Sequence, residues 1–232
     1  MSNIQQLREA VCAANLELVA RGLVTYTWGN VSGIDREADV VAIKPSGVEY
    51  AQLTPAKIVL LRLDGTPAEP GLRPSSDTPT HLELYRAFPS LGGIAHTHSP
   101  HAVIFAMAGR PLPCFNTTHA DHFNGEVPAT RPLTAAEVAG AYEANTGRVI
   151  AECFAGQEPL DIPAVLVPGH GPFTWGADPA AAVKNSMVLE QCCRMALGAL
   201  QLNPDLEPLP EFLLARHFQR KHGPGAYYGQ PG

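Results

Sequence analysis

Two histidines one residue apart, His96 and His98 in Ile94-Ala95-His96-Thr97-His98-Ser99, and a third far downstream, His170 in Val167-Pro168-Gly169-His170-Gly171-Pro172, have the residue types of one metal site. Side chains alternate between the faces of a β-strand, so positions 96 and 98 present both imidazoles to one side, near enough to share an ion. A third ligand from a distant loop completes a centre with three protein donors and an open position, the arrangement of a catalytic zinc or similar divalent cation. A structural zinc in a reduced protein recruits cysteines instead, and the five here (Cys12, Cys114, Cys153, Cys192 and Cys193) include no Cys-x-x-Cys spacing. The other reading of a lone His-x-His is a pair of strand histidines satisfied by ordinary hydrogen bonds.

A second set of residues suits an anion. Gly29-Asn30, Lys44-Pro45-Ser46-Gly47 and Ser75-Ser76 are small-residue turns that can present backbone amides and hydroxyls, and Lys44 can add a formal charge. Ser75 and Ser76 stand immediately before a predicted helix, whose unpaired N–H groups and dipole favour negative charge. Taken singly, Pro45-Ser46-Gly47 also reads as an ordinary turn and Ser76-Asp77-Thr78 as a helix cap. The grouping is what points to phosphate. Gly169-His170-Gly171 and Gly223-Pro224-Gly225 continue neither as a P-loop nor as a dinucleotide fingerprint, so no nucleotide cofactor is expected.

Both sets must be held by elements that patterning predicts. Ser2 and Gln5 form a capping box, and Ile4, Leu7, Val11, Ala14 and Leu18 recur at helical spacing up to Gly22. Short β-type runs follow at 23–27 and 40–44, with the turn-rich Gly29-Asn30-Val31-Ser32-Gly33 between them, and another strand is predicted at 58–62. A Gly-, Pro- and Ser-rich stretch over 65–76 leads into a helix from Pro79 to about Phe88. Then come a strand over 93–98 and helices near 100–107, 134–143 and 179–200. Strands alternating with helices, without internal repeats, predict one α/β domain over residues 1–232.

Composition agrees. A chain of 232 residues that is 45% hydrophobic and 16% charged can bury a full core as one domain. A net charge of −6 and a pI near 5.8 lack the basic stripe of a nucleic-acid surface, so a small-molecule partner is expected. Gln5, Gln6, Arg8 and Glu9 occupy the region where a secretory signal would be apolar, and no run of about 18 uncharged apolar residues follows. No membrane partner and a cytoplasmic location are the expectation.

Together these segments resemble the class II sugar-phosphate aldolase and epimerase family over nearly the whole chain. The residues that carry the resemblance are Thr27-Trp28-Gly29-Asn30-Val31-Ser32, Ile43-Lys44-Pro45-Ser46-Gly47-Val48, Ser75-Ser76-Asp77-Thr78-Pro79-Thr80-His81 and Ile94-Ala95-His96-Thr97-His98-Ser99. Thr117-Thr118-His119-Ala120-Asp121, His170-Gly171-Pro172-Phe173, Trp175-Gly176 and Tyr227-Tyr228-Gly229-Gln230 extend it to the C-terminal tail. It implies a three-layer α/β/α domain with a mostly antiparallel central sheet, and a tail from about 216 to 232 that contributes to the active site.

The resemblance further implies zinc, one per subunit or another divalent cation, held by His96, His98 and His170 with Asp77 at or beside the fourth position. Aspartate there, where the family's deoxysugar-phosphate aldolases carry the longer glutamate, marks its 4-epimerases. Gly29, Asn30, Ser46, Gly47, Ser75 and Ser76 correspond to phosphate and substrate contacts, and Lys44 is an addition suggested by its charge. Asp121 and Tyr228 are implied as the acid/base pair, although as bare residues they also read as a turn cap and a surface anchor. The family's cyclic tetramers share active sites between neighbours, so Thr117, Asp121, Glu143, His217, Arg220 and Tyr228 are expected at a neighbour's zinc. His101, His119, His122 and His222 are not expected to be ligands. The chain departs from the pattern at Pro168-Gly169 and in its short Pro-Gly end, which bear on the loop that sets substrate preference.

The implied reaction interconverts L-ribulose 5-phosphate and D-xylulose 5-phosphate. The C2 ketone does not acidify the hydrogen on C4, so deprotonation cannot invert that carbon. Retro-aldol cleavage of C3–C4 can, because the electrons left on C3 delocalise into the C2 carbonyl and a divalent cation stabilises the charge. Two other readings of the sequence remain open: an aldolase or lyase that releases its aldehyde from another phosphorylated ketose, and a non-catalytic module like the adducin head domain.

Overall fold

The computed structural model describes residues 3–227. Six strands, β1 (Gly29–Asp35), β2 (Val40–Ile43), β3 (Val59–Leu61), β4 (Gly93–Thr97), β5 (Ala164–Val167) and β6 (Gly171–Gly176), form one sheet in the order β3-β2-β1-β4-β6-β5. Each neighbouring pair is antiparallel. The helices are α1 (Asn3–Ala20), α2 (Thr78–Ala87), α3 (Pro100–Met107), α4 (Thr117–Ala120), α5 (Ala135–Ala139), α6 (Tyr142–Cys153), α7 (Pro179–Leu202) and α8 (Glu211–His222).

Strand alternation sorts the side chains into two apolar layers. Val41, Ile94, Val165, Val167, Phe173 and Trp175 point to one face and pack with Leu82, Tyr85, Ile150 and Phe154 of α2 and α6. On the opposite face, Val31 and Ala95 meet α1 and α7, while Ala164 and Leu166 meet α3 and α7. A fully buried side chain of this size stabilises by about 1.5–3 kcal/mol, and Trp175 also satisfies its indole N–H by donating to Pro159 O at 2.7 Å. The outcome is the expected three-layer α/β/α arrangement, with the sheet antiparallel throughout.

Most predicted elements appear near their expected positions, with three differences. The segment read as a turn between two strands is itself the central strand β1, whereas 23–27 forms no strand. Small residues are required there because helices press on it. A Cβ at Gly33 would lie 2.8 Å from Pro179 Cγ and 3.0 Å from side-chain atoms of Leu7 and Val11. The helix expected at 134–143 is two, α5 and α6, separated at Gly140. The β5–β6 hairpin was not anticipated. Its turn, Val167-Pro168-Gly169-His170, closes through His170 N to Val167 O at 3.1 Å. Proline at its second position and Gly169 at φ +71° at its third follow the rule for a type II turn. Ser2 of the predicted capping box lies outside the described residues.

Candidate metal centre

The centre lies at the end of the two middle strands, on the α2 face. Antiparallel register pairs Asn30 with His96 and Gly29 with Thr97, so the start of β1 and the end of β4 deliver their side chains to one place. Gly29, at φ +145°, permits the approach: a Cβ there would sit 2.9 Å from His96 O. The hairpin turn brings His170 to the same spot. Donor nitrogens of His96, His98 and His170 all lie within 4.8 Å of one another, and the Nε2 atoms of His96 and His98 are 3.1 Å apart.

The chemistry of this donor set fits a divalent cation. His96 Nδ1 lies 2.9 Å from Pro172 O, to which it can only donate, so its Nε2 keeps a free lone pair toward the cluster. Phe173 stacks on the His96 ring with centroids 4.3 Å apart and fixes its plane. Burial, aided by the neighbouring imidazoles, pushes His96 down to about 3. Burial lowers His98 and His170 as well, in both cases against the pull of Asp77. Neutral imidazoles are the form that binds a metal.

Asp77 occupies the N-cap position of α2 yet makes no side-chain cap. Its Oδ2 accepts from Asn30 Nδ2 at 2.6 Å, which turns the carboxylate toward the histidines. Burial alone would raise its pKa; the charges of His96 and His81, the Asn30 hydrogen bond and His170 outweigh it and hold the carboxyl below its usual range. The predicted anion turns surround this group. A cleft of about 340 Å³ is lined by Gly29, Asn30, Lys44, Ser46, Gly47, Ser75, Ser76, Asp77 and the three histidines, with Trp28 at its edge.

The turns are joined to one another. Ser46 N donates to Arg73 O at 2.9 Å and Ser75 N to Lys44 O at 3.0 Å, so these two amides are committed to the scaffold. Lys44 is buried, with Nζ donating to Val48 O at 2.7 Å and lying 4.8 Å from the centroid of the Tyr50 ring. Burial lowers its pKa. Its bonds to Val48 O and, at 3.3 Å, to Pro45 O tether the amine to the Ser46-Gly47 turn that lines the cleft. A larger groove of about 690 Å³ between α1 and α7 is lined by alanines and valines together with Glu17, Arg21, Asp178 and Lys184, and no histidine lines it.

The remaining predicted residues form a separate cluster. Asp121, at the C-cap of α4, accepts from Arg220 Nε at 2.9 Å and Nη2 at 2.6 Å, with His217 Nδ1 at 3.0 Å. Burial pushes the Asp121 carboxyl up, but the bonds from Arg220 and His217 and the charge of Lys221 hold it below its ordinary range. Thr117 opens the same short helix. None of these residues lines the cleft. Glu143 lies apart from them, in the first turn of α6, where its charge acts on His170 of its own chain. Tyr228 lies outside the described residues. The four histidines not expected as ligands are absent from the triad; His101 bonds Glu190, His119 bonds Gly125 O and His222 bonds Asp121 O.

Two neighbours of the site escaped sequence reasoning. Tyr142 places its hydroxyl 3.4 Å from His170 Nδ1, and His81 lies in the buried layer beneath Asp77. His81 stands four residues after Asp77, a helical spacing that could have drawn attention to it; Tyr142 carried no such signal.

Residues 9–197 match the family described as the Class II Aldolase and Adducin N-terminal domain. This chain belongs to that family. It is 52% identical over 227 residues to a protein named L-ribulose-5-phosphate 4-epimerase UlaF from Salmonella paratyphi C (strain RKS4594), covering 98% of this chain and all of that one. Among solved structures, an L-fuculose 1-phosphate aldolase superposes with a TM-score of 0.78 at 23% identity, over 95% of this chain and 97% of the other, which speaks to the fold alone. L-fuculose-1-phosphate aldolase from Thermus thermophilus superposes at 0.67 with 25% identity, covering 88% and 99%.

Proposed function

We propose that this class II aldolase family member is an L-ribulose-5-phosphate 4-epimerase that works on zinc. The observation that carries the reading is the 52% identity, over essentially the full length, to a protein of that name. Asp77 in place of a longer carboxylate, and a three-imidazole donor set, agree with it. His96, His98 and His170 would hold the ion with Asp77 beside them. When bound, it supplies a Lewis acid that stabilises negative charge on the substrate's oxygens.

The chain's own residues do the rest. Ser46, Gly47, Ser75 and Ser76 receive the phosphate, with the buried Lys44 charge behind them. A base takes the proton of the C4 hydroxyl, the C3–C4 bond breaks, and its electrons pass to the C2 carbonyl as an enediolate. The glycolaldehyde phosphate so formed turns its other carbonyl face to C3; re-addition forms the bond again, and an acid returns the proton to the C4 oxygen. Atoms balance without a redox partner. Asp121 and Tyr228 are the acid/base pair in this reading, one for each face.

Because the Asp121 cluster stands apart from the cleft of its own chain, we place it at a neighbour's cleft in a cyclic homotetramer. The five free cysteines suit the cytoplasm. The test is to add L-ribulose 5-phosphate to zinc-loaded and chelator-treated protein while following D-xylulose 5-phosphate and free glycolaldehyde phosphate. Metal-dependent xylulose 5-phosphate without free aldehyde is the expected result. Released aldehyde would instead make the chain an aldolase, and no turnover with metal bound would end the catalytic reading.

A further inference from the structure

Two exposed aromatic rings stand beside the candidate metal centre on a strained backbone. Trp28, which lines the cleft, is 55% exposed, and Tyr26 is 81% exposed. Tyr26 holds φ +49°, a left-handed conformation that marks a bulky residue as an outlier. Its ring meets that of Trp28 edge-on, with centroids 5.9 Å apart and planes at 61°. Trp28 in turn lies tilted against His98, with centroids 6.5 Å apart. Every other residue lining the cleft is polar or glycine, apart from Pro45.

The backbone fixes this pair in place. Trp28 N donates to Thr25 O at 3.0 Å, which closes a turn with Tyr26 at its second position. Positive φ at that position favours Gly, Asn or Asp, so tyrosine is there against local preference. Gly29 N donates to Thr27 O at 3.0 Å, and Gly29 O accepts from the buried Tyr50 hydroxyl at 2.8 Å. Trp28 is therefore bonded into the scaffold on both sides of its side chain, as a fixed wall rather than a moving lid. Strained residues persist where the surrounding structure over-determines them, and they cluster at functional sites.

The epimerisation proposed above needs such a wall. Once C3–C4 is broken, the glycolaldehyde phosphate must turn over while the enediolate stays in place. If the aldehyde leaves first, the enediolate takes the proton at C3. One L-ribulose 5-phosphate then gives one dihydroxyacetone and one glycolaldehyde phosphate. The phosphate turns hold only one end of the fragment. An apolar ring makes no directional bond, so it allows rotation while excluding water from the reactive pair. We propose that Trp28, braced by Tyr26, is a specificity-determining residue that retains the aldehyde fragment and so keeps the chain from acting as an aldolase. The inference rests on the epimerase reading, and the test separates the two.

Zinc-loaded wild type, Trp28→Ala, Trp28→Phe and Tyr26→Gly are given L-ribulose 5-phosphate. The ratio of free glycolaldehyde phosphate and dihydroxyacetone to D-xylulose 5-phosphate is followed. Tm, size-exclusion elution and Co²⁺ affinity of the chelator-stripped proteins are measured alongside. Trp28→Ala is expected to raise the ratio by about tenfold or more, the low end of what an apolar contact contributes to discrimination. Trp28→Phe, which keeps a ring, is expected to stay near wild type. Tyr26→Gly removes the brace and the unfavourable φ together, so its ratio is expected to rise while Tm holds or increases. It also serves if Trp28→Ala does not fold. An unchanged ratio in Trp28→Ala or Tyr26→Gly, or equal rises in Trp28→Ala and Trp28→Phe, would overturn the proposal alone. So would weaker Co²⁺ binding or a lost assembly in Trp28→Ala, which would make the ring a support for His98 or a subunit contact. A wild type that forms no xylulose 5-phosphate would overturn the epimerase reading and the proposal with it.

Discussion

Burial of charge at single residues gives the site two measurable properties. Lys44 is held by Val48 O and the Tyr50 ring beside the turns proposed to take the phosphate, and a charge buried there is little screened. Lys44→Met keeps the stem and removes the charge, so KM for the sugar phosphate is expected to rise about tenfold, a loss of about 1.4 kcal/mol in binding, with kcat changed much less. Unchanged KM, and unchanged inhibition by inorganic phosphate, would show that the charge is not felt in the cleft. The second property concerns protons. His81 and His119 are buried, and burial pushes both down to about 4, with Asp77 and the bond to Gly125 O respectively acting in the other direction. Above pH 6.5 neither the folded nor the unfolded chain protonates them. Between 6.5 and 4 the unfolded chain takes protons that the folded chain refuses, so stability falls as pH falls through that window. From pH 7 to 5 the loss is on the order of 2 kcal/mol for each histidine, read as a falling urea midpoint. His119→Gln, which never titrates, is expected to remove its share of the fall; a flat midpoint in the wild type would contradict the argument.

Among the elements, close approach matters more than propensity. The start of α7 crosses the start of β4 so tightly that a Cβ on Gly93 would lie 2.3 Å from the backbone carbon of Asp178, which cannot move without shifting the helix. Gly93→Ala is therefore expected to destabilise by more than about 3 kcal/mol. Gly198, inside α7, gives the contrast, because a Cβ there would meet no atom within 4 Å. Gly198→Ala is expected to stabilise by about 0.5–1 kcal/mol, and urea melts of the pair measure both. The same crowding explains what the sequence disclosed and what it hid. Amphipathic or well-capped segments such as α1, α2 and α7 were legible, as was the pairing of His96 with His98, because period and cap report local geometry. β1 reads as a turn because Gly33 answers to Leu7, Val11 and Pro179 and Gly29 to His96 O, partners distant in sequence. The β5–β6 hairpin carries its signal in Val167-Pro168-Gly169-His170, where the proline and glycine of a type II turn stand beside a histidine whose own chemistry is the stronger signal. Asn30 was legible as a substrate contact, whereas its grip on Asp77 depends on strand register.

At the scale of the whole molecule, the residues proposed to hold the metal and those proposed as the acid/base half form two groups that do not meet within one chain. The three histidines and the turns proposed to take phosphate share a cleft, while His217 and Arg220 of α8 both bond Asp121 at the end of α4, outside its lining. Because those bonds are internal, the cluster can be presented as a preformed unit to another subunit without rearrangement. Closed cyclic assembly then gives every cleft one donor neighbour. Mixing variants tests this directly. Chains carrying His96→Asn lack the metal half and chains carrying Asp121→Asn lack the acid/base half, so each homogeneous assembly is expected to be nearly inactive. After joint unfolding and reassembly in equal amounts, a shared site is whole only where an Asp121→Asn chain supplies the cleft and a His96→Asn chain supplies the cluster. Random assortment makes that arrangement roughly one junction in four for a cyclic ring. Recovery of about a quarter of wild-type turnover is the expected result, measured with size-exclusion chromatography to confirm the assembly. If the two halves served the same chain, every mixed subunit would still carry one defect and no activity would return.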